Sequence, residues 1–316
     1  MDLDKIFNNK PLYKTPWFVI VVSLLILTQF LLINFKENFT TIDGDTFTLF
    51  GAPDTIAIYG GQFWGVFTNN FIHTEWKPLL INLSGIWFFG AFIERRIGFL
   101  RLMSLVTLGC IIPSLWQLTL TTEPGIGLSG VNYVLFGYIL VRSRKGEAFK
   151  LKGLYIFLSF MLGVLLYCNY VNIFQANVFR NEAMTAGLLL GMLLARLRYG
   201  KKIYRIGIIS SLSVISIFTL FYAPWSSEWQ VYKGIQFYNK QDFHSAKIFY
   251  ERALELNPTN DLAKDNLRLL SINKLKSKAY KAHIRKNYAL AKKYYLQILK
   301  KDPNDVWSKE NLNALP

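Results

Sequence analysis

The chain alternates long apolar stretches with short polar connections up to about residue 224. Seven apolar stretches are present, at 17–35, 79–97, 102–120, 127–141, 154–170, 183–197 and 206–222. A helix that spans a membrane needs about 20 predominantly apolar residues, and shorter helices are tolerated where protein surrounds them. The pattern therefore predicts an all-α fold that begins as a polytopic membrane helical bundle of seven spans.

The pattern changes after residue 224, where charged amphipathic helices replace the apolar stretches. The sequence from 234 to 258 resembles a tetratricopeptide repeat, and a second copy follows at an offset of 45 residues. The paired positions are Phe243 and Tyr288, Ala246 and Ala291, Phe249 and Tyr294, Tyr250 and Tyr295, Leu254 and Leu299, and Pro258 and Pro303. Because such repeats are about 34 residues long, we expect a third helix in each unit. The predicted organisation is a cytoplasmic segment at 1–16, a membrane domain at 17–224 and a small helical-repeat domain at 225–316.

The formal net charge of +16 follows from 36 lysines and arginines against 20 acidic residues. In the membrane part the basic residues cluster at the ends of apolar stretches, as they do in proteins that orient by positive charge on the cytoplasmic side. We therefore expect contact with a lipid bilayer and no binding of nucleic acid. Cys110 and Cys168 lie inside predicted spans without metal-ligand spacing, so we expect no metal and no cofactor.

Every second connection is basic, which indicates the orientation. Lysines and arginines gather before the first span and after the second, fourth and sixth, whereas the first loop and the loop before the fourth span are acidic. This predicts a cytoplasmic N-terminus. Seven spans then place the repeat domain outside the cytoplasm, and we expect the plasma membrane of a bacterium.

Small residues form a seam on two of the predicted spans. The fourth carries Gly127, Gly130 and Gly137, and the sixth carries Gly187 and Gly191 in a GxxxG spacing. Such seams let neighbouring helix backbones approach closely. Packing alone explains the GxxxG pair, but the fourth span also places a serine between two of its glycines.

That serine is Ser129, in the run from Gly127 to Tyr138. The run resembles the nucleophile helix of the rhomboid intramembrane serine proteases, whose GxSG motif is followed by a tyrosine and a glycine at fixed distances. The stretch from Gly90 to Gly98 and the glycines of the sixth span also resemble that family, and the likeness covers about 17–200. The resemblance implies a six-helix core plus a seventh span and a serine–histidine dyad. It implies that Ser129 is the nucleophile position, Tyr133 lies beside the base and Asn82 is an oxyanion donor.

Two positions depart from the family pattern. The base histidine is replaced by Met184, whose thioether cannot accept the serine proton at useful strength. The oxyanion histidine is replaced by Pro78, which has no donor in its side chain or backbone. His73 is the one histidine of the membrane part, and we expect it to make structural hydrogen bonds in the outer cavity.

We therefore expect a proteolytically silent pseudoprotease that binds transmembrane segments of client proteins. A protein or peptide partner is expected in the groove of the repeat domain. One alternative is an active intramembrane serine endopeptidase with Ser129 as nucleophile and His73 or a water as the base. A weaker alternative is a transporter or channel, because polar residues in spans mark pathways, but few intramembrane charges are present.

Overall fold

The computed structural model describes residues 15–37, 44–121, 125–143, 159, 161–164, 166–167 and 182–316. Every regular element in these ranges is a helix, which confirms the predicted all-α fold. The chain divides into two compact units, the first ending at Ala223 and the second beginning at Pro224.

The first unit is built from helices of very different lengths. They are α1 (Trp17–Lys36), α2 (Gly44–Leu49), α3 (Thr55–Tyr59), α4 (Gly65–Thr68), α5 (Trp76–Gly85), α6 (Ala91–Ile97), α7 (Phe99–Leu120), α8 (Ser129–Ser143), α9 (Glu182–Leu197) and α10 (Lys202–Phe218). A 3₁₀ turn at Asn69–Phe71 follows α4, and a π-helical segment at Ile86–Gly90 joins α5 to α6. The π turn makes one continuous apolar helix of Trp76–Ile97, and such turns are frequent near functional sites.

Three helices in the described ranges are long and apolar enough to cross a membrane, judged by length and composition: Trp17–Lys36, Trp76–Ile97 and Phe99–Leu120. They contain the first three predicted spans, so the chain is an integral membrane protein. The fourth, sixth and seventh predicted spans correspond to α8, α9 and α10, which are 15, 16 and 17 residues long. The predicted fifth span at 154–170 lies largely outside the described residues, as do Cys168 and residues 1–14.

Helix α8 is the centre of this unit. Every residue from 130 to 139 is buried, and the core cluster draws its other members from α1, α5, α6, α7 and α9. The seam glycines explain how α9 packs so closely on α8. A Cβ added at Gly187 would lie 2.3 Å from the carbonyl oxygen of Gly130, one at Gly191 would lie 2.0 Å from that of Val134, and one at Gly137 would lie 2.3 Å from that of Leu188. Only glycine permits these backbone contacts.

Two polar side chains fix the outer elements of the unit. Glu94, buried in α6, accepts hydrogen bonds from the backbone N–H groups of Phe18 (3.0 Å) and Val19 (3.2 Å) at the start of α1. A carboxylate is favourable there because the first N–H groups of a helix have no partner within the helix. Asn70 donates to the carbonyl of Cys110 (3.2 Å) and to Ser114 Oγ (3.0 Å), which ties the 3₁₀ turn to the part of α7 that contains Pro113.

The second unit contains five helices. They are α11 (Ser227–Asn239), α12 (Phe243–Leu256), α13 (Asp261–Ile284), α14 (Tyr288–Lys301) and α15 (Val306–Asn313). The internal repeat extends to the backbone and the helix caps. Gln241 and Lys286, 45 positions apart, both adopt positive φ, at 62° and 56°. The next residues, Asp242 and Asn287, cap α12 and α14 through side-chain oxygens.

The third helix expected in each repeat does not stand alone in the first copy. It forms the first part of α13, a continuous helix of 24 residues that runs on into the second copy. Ser226 caps α11, but its counterpart Ser271 lies inside α13. No glycine or proline occurs between Asp261 and Ile284, so nothing in the backbone interrupts the helix.

Candidate functional site

Ser129 is the first residue of α8 and is half-buried. The chain enters the helix through Gly127, whose φ of +87° favours glycine. The N–H of Gly127 donates to the carbonyl of Asn69 (3.0 Å), and the side chain of Leu128 is fully buried. The loop is therefore anchored on both sides of the serine. Within the described residues, no hydrogen bond fixes the Ser129 hydroxyl.

The first turn of α9 packs against the same end of α8. A Cβ added at Gly130 would lie 3.4 Å from the Cβ of Ala183, and one at Gly187 would lie 3.4 Å from the Cβ of Tyr133. Met184 lies between these two contact points on α9 and is 8% exposed. The backbone turn that carries the predicted base position therefore packs directly against the residue after Ser129, and a methionine occupies it.

Tyr133 is fully enclosed in the bundle, at 1% exposure. Its hydroxyl donates to the carbonyl of Met161 at 2.7 Å, and its ring lies edge-on to Phe136 with centroids 5.7 Å apart. The resemblance places this tyrosine beside a base, and in the structure it lies in the α8–α9 seam. Its phenol is engaged with a main-chain carbonyl.

A chain of hydrogen bonds connects His73, Asn82 and Asn132. His73 Nε2 and Asn82 Nδ2 are 3.0 Å apart, and His73 Nδ1 is 3.4 Å from the carbonyl oxygen of Phe71. Asn132 Nδ2 donates to Asn82 Oδ1 (3.1 Å) and to the Asn82 carbonyl (2.9 Å). An amide nitrogen only donates, so Nε2 accepts from Asn82 and the ring proton lies on Nδ1, facing Phe71. Asn132 on α8 thus orients Asn82 on α5, and Asn82 orients His73.

Burial sets the protonation of His73. The side chain is 2% exposed, and this burial lowers its pKa from 6.5 to about 4; the hydrogen bond to the Phe71 carbonyl opposes the shift only in part. At neutral pH the imidazole is uncharged and its acceptor nitrogen is already occupied. It is a weak base, because an efficient general base has a pKa near the working pH.

The loop that carries Ser129 packs against the hydrogen-bonded group of His73 and Asn82. A Cβ added at Gly127 would lie 3.3 Å from both Asn82 Nδ2 and His73 Nε2. The structure therefore places His73 and Asn82 against Gly127, two residues before Ser129. Pro78 is not part of this group: it lies in the first turn of α5, where proline is tolerated, and its side chain is exposed.

Asn132 is the member of the group that sequence reasoning missed. An asparagine inside an otherwise apolar helix was the available signal, since polar residues within spans are costly without partners. Its partner was hidden because Asn82 lies 50 positions earlier. A Cβ added at Gly85, one turn from Asn82, would lie 2.7 Å from the Asn132 amide, so the glycine provides the room for it.

Comparison with known proteins locates a family within the chain. Residues 60–201 match the family model of the rhomboid domain. This match covers 142 of the 316 residues, and over that range the chain is similar to the rhomboid family. The matched range includes Ser129, Met184 and the hydrogen-bonded group around Asn82, and it leaves the first three helices, α10 and the second unit outside. The similarity therefore covers the site and the helices around it, whereas the second unit, from Pro224 on, lies outside it.

No group of three or more histidine, cysteine or carboxylate side chains with metal-binding geometry occurs in the described part of the chain. The one cysteine described, Cys110, is buried on α7 and is not in a disulfide. The polar groups near Ser129 are amides, an imidazole and main-chain carbonyls. The amides and the imidazole hold each other in place through hydrogen bonds, and these groups offer no charged ligand.

Proposed function

We propose that the protein is a proteolytically silent rhomboid pseudoprotease that binds the transmembrane segments of client proteins. The observation that carries this proposal is the methionine on the turn of α9 that packs against the serine loop. A dyad serine needs a neighbour that takes its proton, and a thioether has no such capacity. Removal of the base from a serine centre typically costs several orders of magnitude in rate.

The second support is the state of the oxyanion group. Stabilisation of an oxyanion needs donors aimed at the reacting oxygen. Asn82 already donates to His73, and the exposed Pro78 has no N–H to offer. Loss of one such donor typically costs a factor of about 10²–10³. Because an amide nitrogen carries two N–H groups, the loss of an oxyanion donor rests on Pro78, and the loss of the base rests on Met184.

A place for a client helix is present on the other side of α9. A mainly apolar cavity of about 480 Å³ lies between α7, α9 and α10, lined by residues that include Ile112, Trp116 and Leu189, with Glu182 and Thr185 as its polar members. Trp116 and Leu189 are 44% and 62% exposed, so the cavity opens at the surface of the unit. In a membrane such an opening accommodates apolar side chains of a neighbouring helix. Association there depends on close packing, because lipid tails are as apolar as the side chains.

The retained serine favours one alternative, an active endopeptidase with Ser129 as nucleophile. It stays half-exposed at the first turn of α8, where backbone N–H groups are unpaired. The weaker alternative, a transporter or channel, has less support. The buried charged side chains of the described spans, Glu94 and Arg142, lie near helix ends, and Glu94 is engaged with the start of α1.

On our proposal the N-terminus is cytoplasmic and the repeat tail lies outside the cytoplasm of a bacterial cell, where it recruits a protein or peptide partner. The alternating basic connections support this orientation. Glycosylation mapping at the tail and at the 144–153 connection tests it, and modification of the connection instead of the tail contradicts it.

The catalytic proposal is tested with a fluorophosphonate or β-lactone probe on the detergent-purified protein, with Ser129→Ala as the control. We expect no serine-dependent labelling beside a labelled active rhomboid. Met184→His serves as a second variant, since it returns an imidazole to the α9 turn and is expected to increase labelling. Labelling of the natural protein that disappears in Ser129→Ala supports the protease alternative instead.

The binding proposal is tested by photocrosslinking of membrane clients. Filling the cavity with Leu189→Trp is expected to reduce client crosslinking severalfold, whereas Ser129→Ala leaves it unchanged. Val214→Trp is the matched control, because Val214 is a comparably exposed apolar residue of α10 outside the cavity. Equal losses in both tryptophan variants contradict the assignment of the client site.

A further inference from the structure

The positive charge of the repeat tail is concentrated in its second copy. Residues 274–301 contain ten lysines and arginines and no aspartate or glutamate. They form the second part of α13 and all of α14. Ten like charges on one helical hairpin repel each other, and the fold bears this cost at neutral pH.

The first copy shows that the fold does not require this charge. Its equivalent residues, 229–256, contain four basic and three acidic side chains. Both copies have the same positive-φ residue, the same type of cap and the same buried tyrosine, Tyr250 in the first and Tyr295 in the second. Because a nearly neutral hairpin folds in the same way, the lysines of the second copy need another explanation.

The two copies also differ in how their charges are paired. From α12 to the first part of α13, basic residues lie beside acids, as in Lys247–Glu251 (3.2 Å) and Arg268–Asp265 (3.2 Å). Within 274–301 the ion pair present among the described side chains is Lys276–Asp305, at 2.5 Å. The other nine basic residues of the hairpin have no carboxylate within salt-bridge distance in that part of the structure.

Four of these lysines converge on a groove between α13 and α14. Lys274, Lys278, Lys300 and Lys301 line a cavity of about 630 Å³, with Ser271, Gln297 and Leu275 between them. All four lysines are exposed. In the first copy the equivalent positions are Trp229, Lys233, Glu255 and Leu256, so the cluster belongs to the second copy alone.

The chemistry of the groove favours phosphate over a peptide. Its polar lining consists of hydroxyl, amide and ammonium groups, and lysine binds phosphate as a point charge. Leu275 is the one aliphatic residue in the lining. Peptide grooves depend on buried aromatic or aliphatic anchors, and this groove has no pocket for one in its described lining.

Chain connectivity brings a phosphate source close. Eight residues separate the end of α10 at Phe218 from the start of α11 at Ser227. Helix α10 is the seventh predicted span, and a short connection to a span would hold the tail at a high effective concentration near the bilayer surface. Clusters of lysine near a membrane gain about fivefold in binding to anionic lipid for each lysine.

We propose that the lysine groove, Lys274, Lys278, Lys300 and Lys301, binds the phosphate headgroups of an anionic phospholipid surface. The groove gives the tail a lipid ligand in addition to the partner proposed above. It does not depend on whether Ser129 is active or on the client cavity.

The test uses the full-length protein in nanodiscs of neutral phosphatidylcholine. Vesicles of phosphatidylcholine, with or without about one part in three of phosphatidylglycerol, are added at ~0.15 M salt, and bound protein is measured by flotation. We expect flotation only with the anionic vesicles and its loss at ~1 M salt, where the screening length falls to about 3 Å. Replacement of the four groove lysines by glutamine is expected to weaken binding at least about tenfold.

The matched control removes the same charge elsewhere in the tail, through glutamine at Lys240, Lys247, Lys264 and Lys309. It is expected to retain most of the binding, and circular dichroism of both variants checks that the helices persist. Equal loss in the two variants means that net charge alone acts, and it overturns the assignment to the groove. Binding of a polyglutamate peptide without binding of anionic vesicles overturns the lipid proposal and identifies an acidic peptide as the ligand. Client crosslinking measured on the same variants is expected to stay unchanged, so failure of this proposal is distinguishable from failure of the client-binding function.

Discussion

Replacing Gly191 by alanine is expected to destabilise the membrane unit by about 1–2 kcal/mol, because α8 and α9 have no room for a methyl group between them. An added Cβ would lie 2.0 Å from the carbonyl oxygen of Val134, 2.8 Å from its carbonyl carbon and 2.9 Å from the nitrogen of Tyr138. All three atoms belong to the backbone, so no side-chain rotation relieves the clash. The two helices must separate by more than about 1 Å to restore ordinary contact.

The magnitude follows from two opposing terms. Overpacking in a close-packed core typically costs about 1–3 kcal/mol, and a gap of 0.5–1 Å along an interface loses about a quarter to a half of each dispersion contact. Alanine regains about 1 kcal/mol over glycine in helix propensity. The packing term is expected to win because the α8–α9 contact runs along the whole seam, from Gly187 to Gly191.

The measurement is reversible unfolding in mixed micelles, with the midpoint of a denaturing-detergent titration as the readout. Gly207→Ala is the matched control: Gly207 lies in α10, and an added Cβ would meet no atom within 4 Å. This control is expected to be neutral or more stable by up to about 1 kcal/mol. A Gly191→Ala protein as stable as the Gly207→Ala protein would refute the reasoning.

Four further substitutions test other contacts. Tyr295→Phe removes a hydroxyl that is hydrogen-bonded to His283 at 2.8 Å, and it is expected to lower the free energy of unfolding of the tail by about 1 kcal/mol. Tyr250→Phe removes a buried hydroxyl with no partner among the described residues, and it is expected to be neutral or stabilising. Urea unfolding, followed by limited proteolysis of the tail, compares the two variants. Glu94→Gln is expected to lower the unfolding midpoint of the membrane unit by the equivalent of about 1–2 kcal/mol, because a charge-assisted cap of α1 becomes a neutral one. Asp305→Asn tests a pH dependence: burial opposes ionisation of Asp305, but hydrogen bonds from Lys276 and Ser308 outweigh it and hold the pKa below its usual value. The stability that this carboxylate contributes is therefore present above about pH 4 and is lost as pH falls through the lowered folded-state pKa. In the Asp305→Asn variant this contribution is absent at every pH. Limited proteolysis of the tail at a series of decreasing pH values measures the difference.

The parts of the fold that sequence predicted well are those that one residue type determines. Gly187 and Gly191 indicated a close helix contact because no other residue allows one, and the structure places both against the backbone of α8. The repeat offset of 45 residues likewise carries over to caps and to positive-φ positions, because Asp242 and Asn287 are both good cap residues.

The parts that sequence could not predict depend on what surrounds a residue. Pro78 and Asn82 are four residues apart on one helix, which places them on the same face one turn apart, yet Asn82 is buried and Pro78 is exposed. The end of α5 is covered on one side only, and no local pattern encodes that cover. The orientation of His73 was also hidden, since it depends on an amide supplied by Asn82 and held by Asn132 from another helix.

The serine loop and the cavity that we propose as the client site lie on different sides of α9. On the α8 side, the polar groups near Ser129 are engaged with each other: Asn132 holds Asn82, and Asn82 occupies the acceptor nitrogen of His73. A group that is already paired and uncharged adds little to a reacting serine. On the side facing α7 and α10, the cavity at Leu189 is open and mainly apolar. A chain built in this way is expected to lose client binding through changes at Leu189 and to tolerate changes at Ser129, whereas an active protease would need both sites for turnover.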